Sequence, residues 1–474
     1  MKRILLIVLL FFSFGIFCQQ SPYSIERISM SKLSNGMTFI YYYSPNISAT
    51  SLYLGFNAGS RYDEEGFEGE SKLLEKIAFQ GTLKIGSKNI AEELKLLKDL
   101  EDLDEEIAKR QNNGELDTKE INDLIQKAML IRSKLKELSI PRSYENVLFS
   151  LGAREYYARS TPDFFEIGIT FPKESLEKIL LLQRDFLTEP SFRSFFDDRF
   201  MVFQEGSSLN SEMINPNYEK IQKSFLGEKY ELPEKTLKNV KNITLKTFKE
   251  YFKKALNPKY GVIVISSNYK FENVLELTEK YFGKIVSDKE EPLSLTSKES
   301  DKTFYLETST ENILLAFAKN KNSFEQEAVF DLISSYLTYG DNPIIFSKIS
   351  DKIDNGSVIN GIPGIHPPTL FFININLKKG SESSVEETKV KNFFLNFQNE
   401  KLDQNIFEKS KTKLLVRHYS NSERTGNMVR QIGEGYLLSK SPSYFFDYLK
   451  FIEKLTPEQV KAVAKTVFIK KGDR

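Results

Sequence analysis

The feature that most constrains the fold of this chain is a long-range internal repeat. Residues 370–378 have the same apolar, strand-like pattern as residues 164–173, and Ser and Glu residues follow both stretches. Residues 420–423 (Ser-Asn-Ser-Glu) are similar to residues 208–212 (Ser-Leu-Asn-Ser-Glu). The two offsets are roughly 206 and 212 residues, far longer than the period of a solenoid. Because only two copies exist, we interpret the chain as the duplication of one large unit.

Each repeated unit is predicted to be an α+β fold, with an antiparallel-rich sheet covered by helices. Short apolar or alternating runs indicate strands at residues 38–43, 51–57, 164–171 and 261–267. Apolar periodicity indicates helices at residues 70–79, 175–187, 195–209 and 271–282. Sheets and helices of this kind bury their apolar faces by packing in layers.

Residues 88–140 differ in composition and are predicted to form a helical hairpin inserted in the first unit. They are rich in Leu, Glu, Lys and Asp, and residues 112–114 (Asn-Asn-Gly) form a turn. Apolar residues recur every three or four positions on both sides of this turn, at Leu96, Leu100, Leu103, Ile107, Ile121, Leu124, Ala128, Ile131, Leu135 and Leu138. Two roles stay open: a surface spur held by its own apolar seam, or an arm that docks a partner.

We divide the chain into residues 1–20 as a signal peptide, 21–287 as the first unit, 288–300 as a linker and 301–474 as the second unit. The linker is polar and contains Pro and Ser, as is typical of a domain boundary. The second unit stops where the counterpart of strand 261–267 would begin. We therefore expect its sheet to lack that last strand, or a partner to fill the edge.

The N-terminus has the pattern of an export signal. Lys2 and Arg3 precede an apolar stretch at residues 4–17, which is too short to cross a bilayer as a helix. Cys18 is the single cysteine and follows this stretch. Either the signal is cleaved in the ordinary way, or Cys18 is lipidated, although Phe17 stands where lipoprotein signals prefer a small residue. We expect an exported bacterial protein that is periplasmic or is a membrane-anchored lipoprotein.

The charge of the chain argues against nucleic acid as a partner. The sequence has 66 Lys and Arg residues against 65 Asp and Glu residues, and the two signs are interspersed. No strongly basic surface is expected, so we predict no nucleic-acid binding. Contact with a membrane is expected only through the signal or a lipid anchor.

A degenerate motif lies in the predicted helix 70–79. Residues 69–82 read Gly-Glu-Ser-Lys-Leu-Leu-Glu-Lys-Ile-Ala-Phe-Gln-Gly-Thr. This stretch resembles Gly-x-x-His-x-x-Glu-His-x-x-Phe-x-Gly-Thr of the insulinase/pitrilysin metallopeptidases, especially the half-length members similar to mitochondrial processing peptidase. Phe192, Arg199 and Glu205 resemble the downstream stretch of that family. The resemblance covers nearly all of the chain after the signal, and it implies two homologous units of the insulinase fold.

The resemblance also assigns functional positions. In the family, two histidines four residues apart and a distant glutamate hold a zinc ion, and a second glutamate acts as the general base. These four positions correspond here to Lys72, Lys76, Glu205 and Glu75, in that order. The two histidines of the chain, His366 and His418, both lie in the second unit. Because a protonated lysine has no lone pair for a metal, we predict no zinc, no other cofactor and no catalytic residue.

Two explanations stay open for Lys72 and Lys76. Their two positive charges could replace the charge of Zn²⁺ opposite Glu75 and Glu205, since unpaired buried carboxylates are costly. Alternatively, both lysines point to solvent on a remodelled helix. The family also holds the substrate carbonyl with an arginine and a tyrosine of the second unit. Alignment places these two positions at Ser350 and Ser357, which implies that the substrate clamp is absent as well.

These observations predict a catalytically inactive, exported member of that family. Half-length members form dimers that often pair an active with an inactive chain. The resemblance therefore implies a non-catalytic subunit, in a homo- or heterodimer with a peptidase-family chain. The alternative is a stand-alone scaffold or lipoprotein that binds peptides or unfolded protein. A third alternative is an active enzyme, either a zinc metallopeptidase with a degenerate site or a chain that uses other chemistry.

Overall fold

The computed structural model describes residues 24–47, 49–114, 118–208, 216–226, 237–287, 291–295, 304–309, 311–319, 323–341 and 343–468. The predicted signal peptide with Cys18, most of the predicted linker and residues 469–474 lie outside the described residues. Among the helices that are described, none is long and apolar enough to cross a membrane.

The first unit is built on a six-stranded sheet. Its strands are β1 (Ile28–Lys32), β2 (Thr38–Tyr43), β3 (Ala49–Phe56), β4 (Glu155–Ser160), β5 (Phe165–Pro172) and β6 (Val262–Ser267). They lie in the order β1-β2-β6-β3-β5-β4, and every neighbouring pair is antiparallel except β2 with β6, which is parallel. The last strand of the unit in sequence therefore lies in the middle of the sheet, between β2 and β3.

The second unit contains a smaller, fully antiparallel sheet. Its described strands are β7 (Phe304–Thr308), β8 (Asn312–Lys319), β9 (Ile353–Ile362) and β10 (Thr369–Leu377), in the order β7-β8-β10-β9. Here β7 pairs directly with β8, in the place where β6 separates β2 from β3 in the first sheet. Within the described residues, the second sheet thus has no counterpart of β6.

Helices cover both sheets, and the predicted α+β architecture of two units is confirmed. The first unit carries α1 (Glu70–Ile77), α2 (Ile90–Asn112), α3 (Lys119–Leu138), α4 (Ser143–Ser150), α5 (Leu176–Thr188), α6 (Phe195–Ser208), α7 (Pro216–Leu226), α8 (Leu245–Ala255) and α9 (Phe271–Thr278). The second unit carries α10 (Phe324–Leu337), α11 (Ile344–Ser347), α12 (Ser383–Phe397), α13 (Gln404–Ser422), α14 (Thr425–Ser439), α15 (Tyr444–Lys454) and α16 (Pro457–Val467). The predicted helix 271–282 is shorter as an α-helix, because residues 279–283 form a wider π-type turn.

Alternating side chains along the strands of the first sheet belong to two separate hydrophobic cores. Phe39 and Tyr41 of β2 face the core formed with the helices of the first unit. Ile40 and Tyr42 face the opposite side and pack in a different cluster. Because successive side chains of a strand point to opposite faces, both faces of this sheet must be covered by helices.

The two units exchange helices across their sheets. From the second unit, α14 and α15 cover the outer face of the first sheet, where Val429 and Ile432 belong to the same apolar cluster as Val264 of β6. From the first unit, α7 packs on the second sheet through Ile221 and Phe225. Each unit therefore completes the core of the other.

The predicted helical hairpin, α2 with α3, is packed on the body of the first unit. Asp104 of α2 accepts hydrogen bonds from two nitrogens of Arg199 on α6, at 2.8 and 3.1 Å, and from the backbone N–H of Leu245 on α8, at 3.1 Å. Leu97 and Leu100 of α2 are buried in the first core. The hairpin is thus held by the rest of the unit as well as by its own seam.

A buried ion pair joins the two units. Arg61, after β3, lies 2.8 Å from Asp163, and both side chains are almost fully buried. The same guanidinium donates to the backbone carbonyls of His366, at 2.6 Å, and Pro368, at 2.9 Å. Both carbonyls belong to the loop between β9 and β10. Arg61 therefore fixes this loop of the second unit against the first.

Candidate functional site

Helix α1 begins at a buried, capped N-terminus. Asp63 accepts hydrogen bonds from the backbone N–H of Gly69 at 2.9 Å and from Ser71, whose N–H lies at 3.0 Å and hydroxyl at 3.1 Å. Gly69 has a φ of 110°, in the left-handed region that favours glycine. A Cβ there would also lie 3.1 Å from Val240. These contacts fix where α1 starts and hence the direction in which its side chains point.

The loop after α1 is held by a buried arginine. Arg193 donates hydrogen bonds at 2.9 to 3.1 Å to the backbone carbonyls of Gln80, Thr82 and Ile85. Its Nε lies 3.0 Å from a carboxylate oxygen of Glu93 on α2, and both of these side chains are buried. Gly81 turns the chain here with a φ of 105°. The Gly-Thr end of the motif is therefore tied to the hairpin.

Helix α1 has one apolar face and one charged face. The apolar face is buried in the first core and consists of Leu73, Leu74 and Ile77. Residues three and four apart on a helix share a face. This spacing places on the charged face the side chains of Lys72, Glu75 and Lys76.

The charged face of α1 forms two short ion pairs. Lys76 Nζ lies 2.6 Å from Oε1 of Glu205 on α6, and Lys72 Nζ lies 2.7 Å from Oε1 of Glu75. The other oxygen of Glu75 accepts a hydrogen bond from the backbone N–H of Ser160, the last residue of β4, at 3.0 Å. The four charged side chains are between 21% and 42% exposed. Both ammonium groups thus face carboxylates on a half-buried surface.

A further carboxylate of α6, which the sequence analysis missed, lies near this surface. Asp198 precedes Glu205 by about two helical turns and is buried. Burial raises the pKa of Asp198 to about 6, and the positive charge of Lys76 opposes this rise. The spacing of the two acids along the predicted helix was the available signal, because it places them on one face.

Two family models match the chain. The model described as "Insulinase (Peptidase family M16)" matches residues 38–98, which include all of α1. The model described as "Peptidase M16 inactive domain" matches residues 242–414, in the second half. The chain belongs to the insulinase family. The family predicted from residues 69–82 is thereby confirmed.

One curated relative matches a short stretch of this insulinase-family chain. An uncharacterized zinc protease of Rickettsia bellii is 41% identical over 68 residues, which is 14% of this chain and 16% of the relative. The chain therefore matches only about a sixth of the length of that curated relative.

Two solved structures share the fold over almost the whole chain. A protease from Helicobacter pylori has a TM-score of 0.69 at 15% identity, covering 93% of this chain and 96% of the other. The periplasmic protease PqqL from Escherichia coli has a TM-score of 0.61 at 12% identity, covering 93% of this chain and 46% of the other. At these identities the likeness establishes the fold.

The zinc ion of the insulinase family does not fit the residues present at this site. An ammonium group donates hydrogen bonds and has no lone pair for a metal. Both ammonium groups here contact the carboxylates of Glu75 and Glu205. Among the residues that the structure describes, no group of three or more His, Cys, Asp or Glu side chains is arranged to hold a metal ion.

The two histidines lie elsewhere in the insulinase fold. The His366 ring packs edge-on to Phe164, with ring centroids 5.4 Å apart, at the contact between the units. Burial lowers the pKa of His366. His418 lies on α13, where its Nε2 is 3.3 Å from the hydroxyl of Tyr448 on α15. Each histidine thus has its own packing partners and neither belongs to the charged face of α1.

The residues at the expected substrate-clamp positions are held within the second unit. Ser350 Oγ accepts hydrogen bonds from the backbone N–H of Lys352 and from Lys389 Nζ, both at 3.2 Å. Ser357 lies on β9 opposite Asn374 of β10. Neither side chain carries the positive charge or the phenol of the family's arginine and tyrosine.

Proposed function

We propose that this chain is a catalytically inactive, exported member of the insulinase family and acts as a non-catalytic subunit beside an active zinc peptidase. The observation that carries this proposal is the pairing of Lys72 with Glu75 and of Lys76 with Glu205. In the family pattern these four positions supply the zinc ligands and the general base. Here they form two ion pairs.

Charge balance supports the proposal. Two ammonium groups supply the same total charge as Zn²⁺ opposite the carboxylates of Glu75 and Glu205. Their N–O distances of 2.7 and 2.6 Å are those of charge-assisted hydrogen bonds. The pairs therefore compensate two half-buried carboxylates that would destabilise the fold if left alone. The pair of Lys76 with Glu205 also joins α1 to α6 without a metal.

The surroundings of Glu75 support the loss of its role as a base. One carboxylate oxygen accepts from Lys72 and the other from the N–H of Ser160. A general base needs an oxygen within hydrogen-bond reach of the proton that it removes. Each oxygen of Glu75 thus already accepts one hydrogen bond, and one of the two donors is the Lys72 ammonium in place of a metal-bound water.

The proposal also includes a cellular location and a partner chain. Export rests on the basic and apolar residues 2–17, and a periplasmic location agrees with the description of PqqL as a periplasmic protease. A partner chain would supply the zinc site that this chain lacks. Mass spectrometry of the mature N-terminus would show whether Cys18 is absent, free or lipidated.

Affinity purification of the tagged chain from its own bacterium tests the subunit role. We expect a second insulinase-family chain with an intact His-x-x-Glu-His motif to co-purify, in a complex that cleaves peptides. Replacing the general base of that second chain should abolish cleavage. An unrelated exported protein with the same tag is the control. Purification of this chain alone, as a stable monomer, would contradict the subunit role.

A stand-alone peptide-binding role is the second candidate, and an edge strand favours it. Among the described strands, β4 (Glu155–Ser160) is at the end of the first sheet and pairs only with β5. Such an edge can add a peptide as a further strand. The end of β4 also contacts the charged face of α1 through Ser160. A monomer that binds unfolded peptides, with a lipid on Cys18, would favour this role over the first.

A further inference from the structure

A cavity of about 480 Å³ lies within the second unit, outside the charged face of α1. Helices α10, α13, α14 and α15 form its walls, and none of its lining residues belongs to the ion pairs described above. Helices α10 and α13 follow β8 and β10 and pack on each other as α1 and α6 do in the first unit. Its volume is that of a pocket for a small organic ligand.

The acidic side of this cavity contains one carboxylate without a cationic partner. Glu327 of α10 forms an ion pair with Lys319, and the Lys319 side chain is fully buried. Asp331, one turn further along α10, accepts hydrogen bonds from the amide of Asn360 at 3.1 Å and from the hydroxyl of Tyr448 at 2.5 Å. Both of these donors are neutral. The negative charge of Asp331 is therefore hydrogen-bonded but not balanced by any ion pair with a described residue.

The basic side contains two guanidinium groups, and only the first of them, that of Arg430, has an anionic partner. Arg430 of α14 lies 3.5 Å from Glu434, which is also 3.5 Å from Arg159 of β4. Glu166 completes this group as a second carboxylate paired with Arg159. By contrast, Arg417 of α13 is exposed and forms no ion pair with a described residue. The lining of the cavity thus contains both an exposed positive charge and a partly buried negative charge that have no ion pair with a described residue.

The remaining wall of the cavity is apolar and aromatic. Leu438 of α14 and Phe445 of α15 are buried, Tyr444 lies beside them, and Ile365 is partly exposed at the edge. An aromatic ring face attracts an ammonium group, and aliphatic walls accept an apolar side chain. The cavity therefore offers an anion, a cation and an apolar surface to one ligand.

We propose that this cavity binds a small apolar zwitterion, either a free α-amino acid or a short peptide. The ammonium group of the ligand would pair with Asp331, its carboxylate with Arg417, and its apolar side chain would contact Leu438 and Phe445. Both charges without an ionic partner would then be balanced by one molecule. This proposal is independent of the proposed subunit role, because it does not use the charged face of α1.

Isothermal titration calorimetry on the purified full chain tests this site with four probes. Leucine and the dipeptide alanyl-leucine carry both charges and distinguish the two sources of the zwitterion. Isoamylamine is leucine without the carboxylate, and isocaproate is leucine without the ammonium. We expect saturable binding of leucine, the dipeptide or both, and binding at least about tenfold weaker for the two singly charged probes.

Two variants assign the charges and a third is the matched control. Asp331→Asn keeps the shape of the side chain, and Arg417→Gln changes an exposed residue that forms no ion pair with a described residue. Each should weaken binding of the zwitterion by about tenfold or more. Asp341→Asn, at an exposed loop position, should leave it unchanged. Equal melting temperatures check that the variants are folded. No saturable binding of either zwitterion, isoamylamine binding as tight as leucine, or unchanged binding in folded Asp331→Asn would each overturn the proposal.

Discussion

The ion pair between Lys76 and Glu205 joins helices α1 and α6 through two residues that the motif resemblance aligns with zinc ligands of the family. Both side chains are partly exposed, so the pair is screened by water and salt and its net value is modest. Exposed or half-exposed pairs contribute about 0.2 to 1 kcal/mol. The same pair matters more for the position of α1 than this figure suggests, because it is the contact between the charged face and a second helix.

Lys76→Met removes the charge and keeps most of the aliphatic stem. We expect the free energy of unfolding to fall by about 0.5 to 1 kcal/mol, because the ion pair between Lys76 and Glu205 is lost. Urea denaturation of this variant, of Glu205→Gln and of the double variant measures the coupling between the two side chains. Lys98→Met is the matched control, since Lys98 pairs with Asp102 on the exposed side of α2. A loss no larger than that of the control, with no coupling, would contradict the charge-replacement explanation.

Glu70 gives a prediction about pH. Burial, with the nearby carboxylate of Asp63 adding to it, raises the pKa of Glu70 to about 9. An unfolded glutamate has a pKa of about 4.3, so between about pH 5 and 9 the folded chain holds a proton that the unfolded chain has released. The contribution of Glu70 to stability is therefore complete below about pH 4 and is lost as the pH rises towards 9.

Glu70→Gln removes this titration and keeps the size of the side chain. We expect the free energy of unfolding to decline less steeply between about pH 5 and 9 in the variant than in the unmodified chain. Urea midpoints measured across this range provide the comparison. Glu65→Gln, at an exposed position of the same loop, should follow the unmodified chain. Parallel curves for Glu70→Gln and the unmodified chain would show that Glu70 is ionised in the folded state.

The facing of Lys72 and Lys76 towards Glu75 and Glu205 was one of two explanations that the sequence offered, but the other contacts of these residues were not predictable. Phe79 and the Gly81-Thr82 pair fix the register of the degenerate motif. The sequence alone therefore aligns Lys72, Glu75 and Lys76 with three positions of the family motif. The hydrogen bond from Ser160 to Glu75 depends on how β4 is placed beside α1. Residues so far apart in sequence meet only through the tertiary fold, which no local pattern encodes.

At the scale of elements, apolar periodicity predicts the two helices of the hairpin but not their contacts with the rest of the unit. Two helices separated by the turn at 112–114 are present as expected. The apolar spacing did not predict that α2 would be tied to α6 and α8 by Asp104, because an acidic residue among many acidic residues carries no local signal. The parallel pairing of β2 with β6 was also not predicted, since a strand pattern specifies its faces and not its neighbours.

Asp104→Asn tests whether this contact holds the hairpin on the body. The variant loses the charge that pairs with two nitrogens of Arg199, and hydrogen bonds to charged groups contribute about 1.5 to 3 kcal/mol. We expect faster hydrogen exchange throughout α2 and α3 and little change in the first sheet. Asp102→Asn, two residues away and exposed, is the matched control. Identical exchange of the hairpin in both variants would mean that its own seam is sufficient.

At the scale of the whole molecule, the exchange of helices makes the two units one folding body. Helices α14 and α15 bury a face of the first sheet and α7 buries a face of the second. The internal repeat predicted two similar units, but a repeat does not say which sheet a helix covers. Arg61 and Asp163 add a buried polar contact to this apolar one.

Asp163→Asn should therefore destabilise the whole chain. It leaves the Arg61 guanidinium, whose side chain is 2% exposed, buried without its carboxylate. Removing one partner of a buried ion pair costs about 3 to 5 kcal/mol. Thermal denaturation should show one lowered transition rather than loss of the second unit alone. Arg424→Met is the control, because Arg424 and Glu155 are exposed and 3.8 Å apart. A change no larger than in the control would show that apolar packing alone holds the units together.

The central claim is that two lysines have taken the place of the zinc ion. The zinc content of the purified chain, measured by inductively coupled plasma mass spectrometry after exposure to zinc and removal of loose metal, tests this claim most directly. Lys72→His combined with Lys76→His is the positive control, since it restores two histidines beside Glu205. We predict zinc far below one ion per chain in the unmodified protein and a marked rise in the double variant. Stoichiometric zinc in the unmodified protein, lost on Glu205→Gln, would contradict the claim.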